Sequence, residues 1–325
     1  MTGNWKMGKI MIYRRLLFFI LFGCVAVRTA SAQADEINVL KFRNVQDTKD
    51  YFHYTGKDLP VISGHRGGAM KGFPENCIPT FVHTLKGTVA IFEVDPHLTK
   101  DSAMVLLHDD VLDRVTTGHG KLNAYTLAQV EKLRLKDPEG NITRFHLNTL
   151  SQAIQWCRGK TMLNLDVKDV PLRMKAEMVK KYDAFNYVMF TVHSAREARF
   201  FYDFDHRSLF SAFVKTKDAL LTYEAAGIPW SSVLLAYVGS VSTADNRELY
   251  DMLHKRGVMV MVGAAPSYDT LKESAERAMA YRKILKDGAD IIESDRPLEV
   301  AAAIKSLYPE QSIKYLFWKK EMYKK

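Results

Sequence analysis

Cysteine is scarce, with three residues in a chain of 325, at Cys24, Cys77 and Cys157. No Cys-x-x-Cys pair and no zinc-ligand spacing occurs, which argues against a thiol-based metal site or a disulfide-stapled scaffold. Long apolar runs are lacking as well. The strongest, Leu16 to Val27, is interrupted by Gly23, ends at Arg28, and falls short of the ~20 residues that a membrane-spanning helix needs. Blocks of one charge sign are also missing. Lys and Arg are scattered, so a nucleic-acid partner is not indicated, and no internal repeat or low-complexity linker divides the chain.

What is present begins with a processing signal. Lys9, Arg14 and Arg15 precede the apolar run, and Ala30-Ser31-Ala32 supplies a small-x-small cleavage site. Residues 1–32 therefore read as a signal peptide, and the chain as exported, periplasmic or secreted. A minor alternative takes Leu21-Phe22-Gly23-Cys24 as a lipoprotein signal anchored through Cys24. Removing residues 1–32 takes away five basic residues and no acids, so the net charge falls from +9 to +4. The remaining positive charge would favour a phosphate-bearing small molecule or peripheral contact with an anionic envelope surface, but its scatter makes a solvated surface the better account.

Residues 33–59 are a polar lead-in without sustained period. From residue 60 to about 310 short apolar strands alternate with amphipathic helices, the pattern of an α/β TIM-type (β/α)8 barrel. Strands are expected at Val61–Gly64, Val89–Val94, Met104–Leu107, Thr161–Val167, Tyr187–Val192, Leu209–Val214, Val233–Val238, Val258–Val262 and Asp290–Glu293. That is one more than a closed barrel holds, and Val233–Val238 or Leu209–Val214 is the expected surplus. Residues 111–147 break the alternation and read as a small insertion after the third strand. The basic, aromatic tail at 311–325 reads as a segment closing on the barrel wall, with a membrane-interface role as the lesser alternative.

Chemistry concentrates between residues 61 and 110. Glu93 and Asp95 are two apart on a strand, so both carboxylates face one way and can share a hard cation through oxygen. Asp166, at another strand end, is the expected third ligand, and Lys168 shares its face and can neutralise a phosphate oxygen. All-oxygen ligation suits Mg2+ or Ca2+ and disfavours zinc. His65 and His108 stand at strand ends in the same half barrel, and imidazole can take and give protons near neutral pH. Arg66 can fork onto two phosphate oxygens, while Gly67 and Gly68 allow close backbone approach. Glu75 and Asn76 are supporting candidates, Glu75 by orienting His65, Arg66 or the metal ligands.

His65-Arg66-Gly67, Pro74-Glu75-Asn76, Glu93-x-Asp95-x-x-Leu98-Thr99-Lys100-Asp101 and His108-Asp109, in this order, resemble the glycerophosphodiester phosphodiesterases of the phospholipase C-like barrel superfamily. The resemblance runs from about Pro60 to Pro297. It implies metal-dependent hydrolysis of glycerophosphodiesters to sn-glycerol 3-phosphate and an alcohol, with His65 and His108 as the catalytic pair. It also implies a small subdomain near residues 111–147 and a supporting role for His97. Departures are Asp166 where the family usually has Glu, Cys77 where Thr is common, and Val260-Met261-Val262-Gly263-Ala264 and Glu293-Ser294-Asp295 in place of a Trp-bearing strand and a Thr-Asp ending. The mouth opposite the catalytic strands is therefore atypical. A phospholipase D-like enzyme acting on lyso- or sphingolipids and a non-catalytic phosphodiester-binding barrel are the competing readings.

Overall fold

Parallel strands wrapped by helices must be apolar on both faces, and the short runs of this chain meet that condition: Ile91–Val94, Val188–Val192 and Met259–Gly263 are buried at every position. A computed structural model describes residues 1–3 and 36–323; residues 4–35, which hold most of the expected signal segment and Cys24, lie outside them. Eight parallel strands close a barrel. They are β1 (Val61–Gly64), β2 (Ile91–Val94), β3 (Leu163–Leu165), β4 (Val188–Val192), β5 (Phe210–Phe213), β6 (Val233–Gly239), β7 (Met259–Gly263) and β8 (Ile291–Ser294). The ring is completed where β8 pairs with β1, setting Glu293 beside Ser63 and Ser294 beside Gly64.

The expected surplus strand is a different one. Val233–Val238 and Leu209–Val214 supply β6 and β5, whereas Met104–Leu106 pairs antiparallel with Pro96–Leu98 outside the barrel. Its two faces explain the misreading. Met104 and Leu106 pack on the main core, while Val105 and Leu107 join a separate cluster with Leu112, Val115, Leu122, Val130 and Leu135. Burial on both sides gave it the look of a barrel strand. The insertion consequently leaves the barrel after β2 and carries its own small core, a helix at Leu127–Val130 and a hairpin of Arg134–Lys136 with Ile142–His146. Asp137 Oδ2 accepts from the Gly72 backbone N–H at 2.8 Å, fastening the insertion to the loop that follows β1.

The lead-in is more ordered than its composition suggests. Glu36–Leu40 pairs antiparallel with Trp318–Met322 of the tail, and a helix follows at Val45–Phe52 with Asn44 accepting from the Asp47 N–H at 2.9 Å. Phe42, Tyr51 and Phe52 then pack, together with Phe317, against Val61, Met162, Leu209 and Ile291. The lead-in and the tail thus share one apolar cluster with residues at the starts of the barrel strands. Among the described residues no helix is long and apolar enough to cross a membrane. Cys77 and Cys157 are separate buried thiols, and burial pushes Cys77 up to about 12.

Phe52→Ala empties the centre of this cluster and is expected to cost about 3–5 kcal/mol in urea unfolding; a loss below about 1 kcal/mol would contradict its role in closing the barrel base.

Candidate active site

Polar residues gather where the strands end. After β1 the chain turns tightly through His65, Arg66 and Gly67, with Arg66 in the left-handed region at φ 52°, a conformation that costs a non-glycine residue roughly 1–2 kcal/mol. The turn aims the Arg66 backbone N–H at Glu93 Oε2, 3.0 Å away. Gly67 and Gly68 serve the turn through packing: a Cβ on Gly67 would stand 2.5 Å from the Phe81 ring and one on Gly68 2.2 Å from Pro297. Both positions also have positive φ, 93° and 83°, so the turn and the close helix contact each require glycine there.

Glu93, at the end of β2, Asp95 just beyond it and Asp166, just beyond β3, place one oxygen each within 4.8 Å of one another. Burial, and then Asp95, Glu293 and Asp166, push the Glu93 carboxyl well up. Asp95 goes the other way: burial raises it, but Lys168, Asn76, His108 and Arg66 together bring it below the usual range. Lys168 Nζ bridges Asp95 at 3.1 Å and Asp166 at 2.9 Å. Asn76, also left-handed at φ 54°, holds Asp95 from two directions, donating to Oδ2 at 2.7 Å and accepting from the Asp95 N–H at 3.0 Å. Three converging carboxylates with one held high by its neighbours fit a hard divalent cation, which would relieve that repulsion.

Both histidines are tethered through Nδ1, leaving Nε2 for proton handling. His65 donates to Asp295 Oδ1 at 2.7 Å and His108 to Asp109 Oδ1 at 2.8 Å. Burial lowers His65, yet the Asp295 hydrogen bond and the charges of Glu293 and Asp295 outweigh it and leave the imidazole above its ordinary value. Glu75 does not reach His65. It forms a two-bond fork with Arg114 at 2.8 and 2.7 Å and a longer contact with Arg66 at 3.4 Å. Arg114 in turn grips Asp109 at 2.7 and 2.9 Å, so a line of alternating charge runs from Arg66 through Glu75, Arg114 and Asp109 to His108. The Arg66 Nε is buried 3.8 Å from Asp95 Oδ2, too far for a hydrogen bond, and has no hydrogen-bond partner among the described residues.

His97 supports from behind, with Nε2 3.1 Å from the His108 carbonyl and Nδ1 3.1 Å from Asp169. His193, given no role by the sequence, comes to 3.8 Å from Asp166, whereas His119 pairs with Asp113 and His206 stacks on Tyr202. Lys175, unnoticed in the sequence, is fully buried with Nζ donating to the Asp166 carbonyl at 3.2 Å, and burial pulls it down to about 8. Asp109, Arg114, Glu293 and Asp295 were likewise missed as site residues. The Glu-x-Asp spacing of 293 and 295 repeats that of 93 and 95 and was the available signal. A cavity of about 440 Å³ opens over this floor, lined by His65, Arg66, Glu93, Asp166, Glu293 and Asp295 among others. A second, of about 590 Å³, shares His65, Arg66 and Asp295 and extends to Lys71 and Glu139.

Residues 65–277 match the model of the glycerophosphoryl diester phosphodiesterase family. The chain belongs to this family. A crystal structure of a glycerophosphoryl diester phosphodiesterase from Parabacteroides distasonis is 52% identical, with a TM-score of 0.86 covering 87% of this chain and 99% of that one. An Oleispira antarctica phosphodiesterase, crystallised with the product sn-glycerol-3-phosphate, shares the fold at 19% identity and a TM-score of 0.56, covering 76% of this chain and 97% of that one. Among curated relatives, a glycerophosphodiester phosphodiesterase from Caldanaerobacter subterraneus subsp. tengcongensis is 37% identical over 73 residues, 22% of this chain and 30% of the relative. The chain thus aligns with about a third of the length of that relative.

Asp295→Asn removes the charge that holds His65 up, so the His65 pKa, followed by NMR titration, is expected to fall. A folded-state pKa above the unfolded value stabilises the fold at acidic pH and loses that contribution as pH rises through the raised value. The variant should therefore lose stability below the ordinary imidazole pKa and little above the raised one; an unmoved His65 titration would contradict the pairing.

Proposed function

We propose that the chain hydrolyses glycerophosphodiesters to sn-glycerol 3-phosphate and an alcohol. The carrying observation is the convergence of Glu93, Asp95 and Asp166 beside two histidines that are each fixed through Nδ1 by a carboxylate. The family membership supports the reaction class, and the sn-glycerol-3-phosphate bound to the Oleispira phosphodiesterase supports the product.

In this reading Glu93, Asp95 and Asp166 hold Mg2+ or Ca2+. When bound, such a cation polarises a phosphoryl oxygen and lowers the pKa of a nearby hydroxyl. Arg66 offers its guanidinium, and Lys168 its ammonium, to the phosphate. One histidine takes the proton of the attacking hydroxyl, water's or the glycerol's own, and the other protonates the departing alkoxide; where the glycerol attacks, water then opens the resulting cyclic phosphate to sn-glycerol 3-phosphate. Asp295 and Asp109 fix which nitrogen does this work, and Asn76 keeps Asp95 in place. We further propose that the chain is exported, on the basis of Lys9, Arg14, Arg15, the apolar run and Ala30-Ser31-Ala32.

Release of glycerol 3-phosphate from glycerophosphocholine and glycerophosphoethanolamine tests the reaction. The expected outcome is turnover that a chelator abolishes and added Mg2+ or Ca2+ restores. His65→Ala and His108→Ala should each lower kcat about a hundredfold to ten-thousandfold. Turnover of lysophosphatidylcholine alone would favour the phospholipase reading, and binding without turnover would favour a non-catalytic barrel.

A further inference from the structure

The mouth cavity contains polar groups whose hydrogen-bonding capacity the cation site leaves unused, Glu293 acting on His65 only through its charge. Glu293, at the end of β8, lines the cavity. Its carboxylate stands outside the cluster formed by Glu93, Asp95 and Asp166, and its hydrogen bond among the described residues is one from Ser63 Oγ at 3.0 Å. An ionised carboxylate offers about four acceptor positions, so Glu293 keeps acceptor capacity for whatever fills the cavity. Ser211, on β5, lines the same cavity, is fully buried, and its Oγ has no hydrogen-bond partner among the described residues. A buried hydroxyl left so is costly unless a ligand or water completes it.

Asn164 and Thr191 add polar groups deeper in the wall, and one side is mainly carbon. Phe213, Tyr237 and Met261 line it, and Gly263 makes room for the Tyr237 ring, since a Cβ there would lie 2.9 Å from Tyr237 Cε2. Carbon on one side with a hydroxyl and a carboxylate on the other is a match for a small polyol. The adjoining cavity, walled by Lys71, Glu139, Arg114 and Arg296, carries charges of both signs and suits a variable head group.

We propose that Glu293 is the specificity-determining acceptor for a glycerol hydroxyl, with Ser211 as a second partner, and that the departing alcohol occupies the adjoining cavity. This rests on the diesterase reading above. Glu293 touches the constant part of the substrate, so its removal acts equally on all head groups.

The test is steady-state kinetics of the wild type, Glu293→Gln, Glu293→Ala and Ser211→Ala with glycerophosphocholine, glycerophosphoethanolamine and glycerophosphoglycerol at saturating Mg2+, together with inhibition by sn-glycerol 3-phosphate and by inorganic phosphate. Glu293→Ala is expected to lower kcat/KM by about tenfold to a hundredfold on all three substrates alike, mainly through KM. It should weaken glycerol 3-phosphate inhibition by a similar factor and phosphate inhibition far less, with the isosteric Glu293→Gln and with Ser211→Ala shifted in the same direction by less. Equal weakening of both inhibitors, or a loss confined to the two cationic substrates, would overturn the assignment while leaving the diesterase reading intact. A wild type that cleaves none of the three would overturn both.

Discussion

The structure turns on the negative charge gathered at the end of β2. Glu93 and Asp95 are buried among apolar strands beside the half-buried Asp166, an arrangement that burial makes costly and that like charges make worse. Each of the surrounding features answers it. Lys168 bridges two of the three, the left-handed Arg66 presents a backbone N–H to Glu93, and the left-handed Asn76 clasps Asp95. Two strained backbone positions in one site are tolerated because each satisfies a carboxylate.

The same constraint explains the outer ring. His65 and His108 face this anionic floor from opposite sequence neighbours, His65 tied to the end of β8 through Asp295 and His108 tied to the insertion through Asp109 and Arg114. The insertion therefore supplies a working part of the mouth: its Arg114 links the His108 support to Glu75 and, more loosely, to Arg66. At the other end of the strands the lead-in and tail cover the core with Phe42, Tyr51, Phe52 and Phe317, so the chemistry is confined to one face.

Local pattern made much of this legible. Two-residue spacing put Glu93 and Asp95 on one face, the apolar strand before Asp166 and Lys168 exposed that pair, and short apolar runs gave all eight barrel strands. What failed was information carried by distant pairing. Asp295 meets His65 only because β8 closes on β1, and Arg114 meets Glu75 only because the insertion folds over the β1 loop. Met104–Leu106 looked like a barrel strand because it is buried on both faces, between the main core and the insertion's own; no periodicity distinguishes that from a barrel interior. Gly67 and Gly68 stood out in the sequence, but their crowding by Phe81 and Pro297 is visible only in the packed fold.

The most direct measurement is calorimetric titration of the metal-free protein with Mg2+ and Ca2+, beside Glu93→Gln and Asp166→Asn. If these carboxylates form one cation site, the wild type binds one equivalent of divalent ion and each variant binds it far more weakly while keeping its fold. A wild type that takes up no ion, or variants that bind it unchanged, would contradict the account.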